Sequence, residues 1–233
     1  MADRGNAAPQ PKLWRFEAPD EAEMLAFAAA QAAWLEPGDF VGLSGDLGAG
    51  KTTFARALIR ALAEAPDLEA PSPTFTLMQI YDAPRGPVVH ADFYRLRSAV
   101  ELDNIGWEEA LMGAIAIVEW PERITAALPA DRLEVAIRFD PSRGPNFREL
   151  ELRGHGSVAR RLGQFVRDGR DRALTGEHPD FRPAHAVSDQ ETDEIARLSH
   201  CDRVFVVRPA ALQRAAAEAH SERHGPPGSA WFT

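Results

Sequence analysis

Cysteine is nearly missing from this chain of 233 residues: Cys201 stands alone. That excludes an intramolecular disulfide and suits a reducing compartment. No apolar run approaches the ~20 residues of a membrane helix. Met1 to Gln10 has no apolar stretch of signal-peptide length. The expectation is a cytoplasmic protein with no membrane partner. Lysine is scarce, with Lys12 and Lys51 the only two against 24 arginines. Neither lies in an N-K-x-D segment, so guanine recognition of the familiar GTPase kind is disfavoured.

Basic charge is short overall, with 26 Lys+Arg against 35 Asp+Glu and a net charge of −9. Residues 155–233 hold 11 basic and 11 acidic residues, which leaves 15 and 24 for residues 1–154. An acidic body is a poor glove for nucleic-acid phosphate. Any connection to RNA is therefore expected to run through a partner. What is plentiful is ordinary core material: 45% hydrophobic and 8% aromatic residues, near the globular average.

Residues 1–12 are polar and Pro/Ala-rich, a flexible leader. Leu13–Glu17 alternates as a short strand. Asp20 is placed to cap a helix, with Glu23 closing a capping box. Phe40–Ser44 reads as a buried strand, followed by a glycine-rich turn and a helix over Lys51–Ala63. Further strands are expected at Thr74–Tyr81, Val88–Asp92 and Ala114–Val118, and a helix over Ala99–Met112 with a break near Gly106. Leu133–Phe139 and Phe147–Arg153 form a hairpin across a Pro/Gly-rich turn. The fold class is α/β and P-loop NTPase-like: a mostly parallel sheet flanked by helices, with a C-terminal antiparallel hairpin. Residues 13–154 are the expected domain. Residues 155–233 form an extension of unassigned role, either a small accessory element or partly disordered, with weak helix signals at Ser157–Val166 and Ala210–Ala219 and a strand signal at Val204–Val207.

The chemistry sits in Gly45-Asp46-Leu47-Gly48-Ala49-Gly50-Lys51-Thr52, which fits G-x-x-x-x-G-K-[ST] and runs on into Thr53. Glycines let the backbone curl so that successive N–H groups face a polyphosphate. The following helix offers its N-terminus to the same anion. Lys51 supplies a point charge for the β- and γ-phosphates, and the Thr52 hydroxyl is a ligand for Mg²⁺. An apolar strand ending in Glu119 then delivers a carboxylate to the strand edge where open α/β sheets bind ligands. Asp92 ends a neighbouring strand, and two carboxylates at one edge repel unless a cation lies between them. Either Asp92 or Glu119 is placed to order an attacking water.

Other residues stay open on pattern alone. His90 reads as a structural histidine or a site residue. Arg95 pairs with an acid or with a phosphate. Ser72–Thr76 is either a γ-phosphate-sensing switch or the turn that starts a strand. Trp120 is a core aromatic, a stacking surface or a partner contact. The tail histidines (His155, His178, His185, His200, His220, His224) show no compact metal-ligand spacing.

Four segments in order, G-D-L-G-A-G-K-T-T at Gly45–Thr53, S-P-T-F at Ser72–Phe75, H-A-D-F-Y-R at His90–Arg95 and E-W-P-E at Glu119–Glu122, resemble the TsaE (YjeE) family. That family is the ATPase component of the bacterial machinery placing threonylcarbamoyl on the tRNA adenosine beside the anticodon. The resemblance covers Leu13 to Arg153. It implies ATP and Mg²⁺ as cofactors, Lys51 on the phosphates, Thr52 and Glu119 on the metal, and Asp92 in catalysis. It implies Thr74 on a switch-like segment and Trp120 near the nucleotide. It also implies work in a complex with TsaB and TsaD, with tRNA touched only through them and ATP hydrolysis weak without them. Two other readings of the same P-loop are a small-molecule kinase, with Arg85, Arg95 or Arg97 recruited to a lid, and a non-hydrolysing nucleotide-dependent adaptor.

Overall fold

The computed structural model describes residues 11–174 and 205–207. Eight strands, β1 (Lys12–Ala18), β2 (Phe40–Ser44), β3 (Met78–Tyr81), β4 (Val88–Asp92), β5 (Ile115–Glu119), β6 (Leu133–Phe139), β7 (Arg148–Gly154) and β8 (Phe205–Val207), build one sheet in the order β3-β4-β5-β2-β6-β7-β1-β8. Its centre, β4-β5-β2-β6, is parallel. β3, β7 and β1 join antiparallel to their neighbours, and β8 runs parallel to β1. Every residue of β4 and β5 is buried, as continuous apolar strands covered on both faces should be. The result is an α/β mixed sheet with parallel core strands flanked by helices, as the strand–helix alternation implies.

Helix α1 (Glu21–Gln31) begins where the Asp20 side chain accepts from the Glu23 N–H at 2.9 Å, satisfying one orphan donor of the first turn. The ring of Phe27 stacks on Phe16 of β1 at 4.0 Å between centroids and lies 6.4 Å from Phe54. Helix α2 (Lys51–Leu62) turns Phe54, Ala55, Leu58, Ile59 and Leu62 into the same core. The opposite face of the sheet has its own cluster, where Phe93, Leu96 and Leu102 meet Ala116 and Val118. Trp107 opens the short helix α3 (Trp107–Leu111) and packs edge-on to Phe93. The expected break falls at Gly106, whose φ of 67° separates a 3-10 segment (Ala99–Ile105) from α3.

Two expectations change. The strand foreseen over Thr74–Tyr81 begins only at Met78, because Leu77 takes a φ of 63° and its N–H bonds the Pro73 carbonyl, closing a turn. The helix signal at Ser157–Val166 extends to α4 (Gly156–Leu174). Its Val158, Leu162, Phe165 and Val166 join the cluster around Trp14 and Trp34. The weak strand signal at Val204–Val207 becomes β8; the helix signal at Ala210–Ala219 and the leader Met1–Gln10 lie outside the described residues.

Candidate active site

Between β2 and α2 the chain must reverse within a few residues, and three glycines make that possible: φ is 135° at Gly45, 80° at Gly48 and 113° at Gly50. A β-carbon at Gly45 would collide with the Ile137 carbonyl oxygen of β6. Glycine there is thus fixed by conformation and by close approach. Arg148 of β7 braces the loop from outside, its Nε donating to the Ala49 carbonyl at 2.9 Å. Asp46, Leu47 and Gly48 form the exposed rim of the loop, while Ala49 is buried behind it.

Lys51 is 5% exposed. Its ammonium donates to the Gly45 carbonyl at 2.7 Å and the Asp46 carbonyl at 2.8 Å, and lies 3.8 Å from the Trp120 ring centroid. Burial holds the amine below the ordinary lysine range, and the carboxylates of Glu119, Glu122, Asp92 and Asp46 pull the other way. The charged end is therefore pre-placed beneath the loop.

In the parallel pairing of β4 with β5, Asp92 lies opposite Glu119 at the C-terminal edge. Both carboxylates are buried, at 4% and 2% exposure. Glu119 Oε2 accepts from the Thr52 hydroxyl at 2.9 Å, tying β5 to the first turn of α2. Asp92 Oδ2 accepts from the Ser72 hydroxyl at 2.5 Å and from the Thr74 hydroxyl at 2.6 Å, while Oδ1 accepts the Tyr94 N–H at 3.0 Å. The turn at 72–77 is thus latched to Asp92 through its side chains. Trp120 has a φ of 59°, a conformation costly for a large side chain. Its N–H bonds the Leu43 carbonyl at 3.1 Å and its ring lies 5.1 Å from Tyr94.

These groups surround one cleft of about 360 Å³, lined by Gly48, Gly50, Lys51, Thr52, Thr53, Thr74, Asp92, Glu119 and Trp120 from the sequence expectation, and also by Leu47, Ser72 and Tyr94. Of the expected residues, Gly45, Asp46 and Ala49 shape the loop without lining the cleft. Arg95 points elsewhere, with its guanidinium 4.3 Å from the exposed Phe75 ring. Trp120 stands at the cleft wall, half-buried, so it is not a core aromatic. Tyr94 and Arg148 gain roles that single positions did not signal, and Ser72, inside the segment read as a switch or a turn, is seated on Asp92. Ser72 lies two residues from Thr74, a spacing that hinted at a shared target. Arg148 comes from 99 residues away in the chain and gave no sign.

The donor set suits Mg²⁺. Thr52, Glu119 and Asp92 offer only oxygens, and hard cations take oxygen ligands. Two buried carboxylates at adjacent strand ends are relieved by a cation nearby. Among the described residues no group of three His, Cys, Asp or Glu is placed to hold a metal alone.

A family model described as "Threonylcarbamoyl adenosine biosynthesis protein TsaE" matches residues 18–145. The chain is 42% identical over 119 residues to the tRNA threonylcarbamoyladenosine biosynthesis protein TsaE of Rickettsia bellii, covering 51% of this chain and 82% of that protein. Against the protein of the same description from Bacillus subtilis it is 37% identical over 126 residues, covering 54% and 76%. Among solved structures, Bacillus subtilis YdiB superposes with a TM-score of 0.55 at 29% identity, covering 69% of this chain and 99% of that one.

Proposed function

This chain belongs to the TsaE family and so has a role in tRNA threonylcarbamoyladenosine biosynthesis, and from that premise we propose that it is a Mg²⁺-dependent ATPase working in complex with TsaB and TsaD. The observation that carries the reading is the Thr52–Glu119 hydrogen bond, which joins the phosphate loop's helix to the carboxylate strand beside Asp92. A glycine loop alone binds anions. A loop whose threonine already meets a buried acid is built for a phosphate that reacts.

The nucleotide's polyphosphate occupies the backbone nest from Gly45 to Gly50, at the N-terminus of α2. Lys51 gives up the Gly45 and Asp46 carbonyls for the β- and γ-phosphate oxygens, beside the Trp120 ring that its ammonium already faces. Thr52 and Glu119 would hold the Mg²⁺, which would supply charge neutralisation on the phosphates. Asp92, at the same edge, orients the attacking water and accepts its proton. Ser72 and Thr74, which rest on Asp92 here, are the hydroxyls that a γ-phosphate draws away, giving the turn at 72–77 its switch character. The acidic body keeps tRNA on the partner proteins rather than on this chain.

The test is phosphate release from ATP by the full chain, with and without the cognate TsaB–TsaD pair, beside Lys51→Ala. Turnover that is slow alone, rises with the partners and vanishes in Lys51→Ala is expected. Full partner-stimulated turnover in Lys51→Ala would remove the site assignment. ATP bound but never hydrolysed in the complete mixture would favour a nucleotide-dependent adaptor instead.

A further inference from the structure

His90 stands on β4 with 0% exposure, between Val89 and Ala91, which are equally buried, and opposite Ile117 in the register with β5. A position of this kind ordinarily takes a branched aliphatic side chain. Instead it holds an imidazole whose Nε2 lies 3.0 Å from Glu119 Oε1. The other ring nitrogen, Nδ1, is buried with no hydrogen-bond partner among the described residues. A buried polar atom left unmatched is costly and calls for a reason. The ring therefore makes one polar contact, at the expense of an unmatched nitrogen, and that contact is to Glu119.

We propose that His90 is a positioning residue that fixes the Glu119 carboxylate through its Nε2–H, and this rests on the ATPase reading above. Two donors from different elements pin the two oxygens: Thr52 of α2 holds Oε2 and His90 of β4 holds Oε1. The Thr52 hydroxyl has a single proton to give. Whenever that hydroxyl is re-aimed toward another ligand, His90 is the donor that still sets the carboxylate plane. A carboxylate on a freely rotating terminal torsion would sample orientations that turn its oxygens away from the Thr52 side of the cleft, and small misplacements of a group at the site lower turnover steeply. The role asks for a donor at the Nε2 position and for no proton transfer by the ring.

That distinction sets the test. A glutamine amide nitrogen reaches the place of Nε2, whereas an asparagine amide nitrogen reaches only the place of Nδ1. In the full chain with its partners, His90→Gln should keep kcat within about threefold of the parent. His90→Asn should lose about tenfold or more in kcat with KM for ATP changed by less than about threefold, the pattern of a group that acts after binding. A second arm needs no turnover: nitrogen–proton correlation spectra of the nucleotide-free full chain should show an exchange-protected ring proton on His90 Nε2. If His90→Asn does not fold, His90→Gln and the spectra decide. Equal kcat in the Gln and Asn variants, a tenfold loss in His90→Gln, or a ring proton found on Nδ1 alone would each overturn the proposal. A parent that neither binds nor hydrolyses ATP would instead sink the functional reading, and the role of Glu119 with it.

Discussion

At the scale of single residues the cleft concentrates charge where water is scarce. Lys51, Asp92 and Glu119 are each at most 5% exposed, and such groups persist because each has partners within hydrogen-bond reach. Lys51 still bears a cost. Burial lowers its pKa in the folded chain below the ordinary 10.5, against the pull of the neighbouring carboxylates. An unfolded lysine keeps the ordinary value. Between the two, the unfolded state binds more protons, so unfolding free energy gains with rising pH in that alkaline window. Below the window both states are protonated and the cost is constant. In nucleotide-free protein, the stability advantage of Lys51→Met over the parent should therefore narrow as pH rises toward 10.5. Urea unfolding of both proteins across the alkaline range measures it. A difference that stays flat, or widens, would show that the ammonium is not strained by burial.

At the scale of elements, what could be read early was what is local. The glycine loop, the strand ending in Glu119 and the Asp92 strand tip each announce themselves within a few residues, because their chemistry needs a particular type at a particular spacing. The break at Gly106 and the hairpin across Pro141–Gly144 were legible for the same reason. The stretch from Thr74 to Leu77 was not. Its alternation looks like a strand, but Ser72 and Thr74 spend their hydroxyls on Asp92, 20 and 18 residues away, and that bends the backbone out of the sheet. The Arg148 brace was equally invisible, since nothing in a β-hairpin says which loop its arginine will meet. That brace has a consequence for binding. Across a planar trans peptide the C=O and N–H point in opposite directions. Holding the Ala49 carbonyl on Arg148 therefore turns the Gly50 N–H away from that arginine, and Gly50 lines the cleft. Arg148→Ala should weaken ATP binding about three- to tenfold, close to the ~1 kcal/mol of a typical hydrogen bond. Equilibrium nucleotide titration gives the affinity, and a thermal melt separates this from general destabilisation. Unchanged affinity would mean that the loop keeps its shape unaided.

At the scale of the whole molecule, the family match ends at residue 145, yet the packing continues past it. β7 lies between β6 and β1 in the sheet, and α4 lays Val158, Leu162, Phe165 and Val166 over Trp14 and Trp34, with the rings of Trp34 and Phe165 6.5 Å apart. Asp131 helps start the helix: its carboxylate accepts from the Ser157 hydroxyl and from the Ser157 N–H. Those hydrogen bonds, the hydroxyl first, hold the carboxyl below its usual range. Composition alone sets Gly154 as a boundary because apolar residues thin out beyond it, but Val158, Leu162, Phe165 and Val166, among the described residues there, lie on one face of α4 and are buried. Four large apolar side chains at ~1.5–3 kcal/mol each are comparable to the ~5–15 kcal/mol by which a whole domain is stable. Area bookkeeping of this kind is an upper bound, and even half of it is a large share. A chain ending at Gly154 should therefore melt far below the full chain, by about 10 °C or more, or fail to fold, and should lose ATP binding with its structure. Leu162→Ala in the full chain provides the graded version, with a loss of ~2–5 kcal/mol read by urea unfolding. A truncated chain that melts with the parent would show that the sheet needs no cover on that flank, and that α4 is carried by the domain without supporting it.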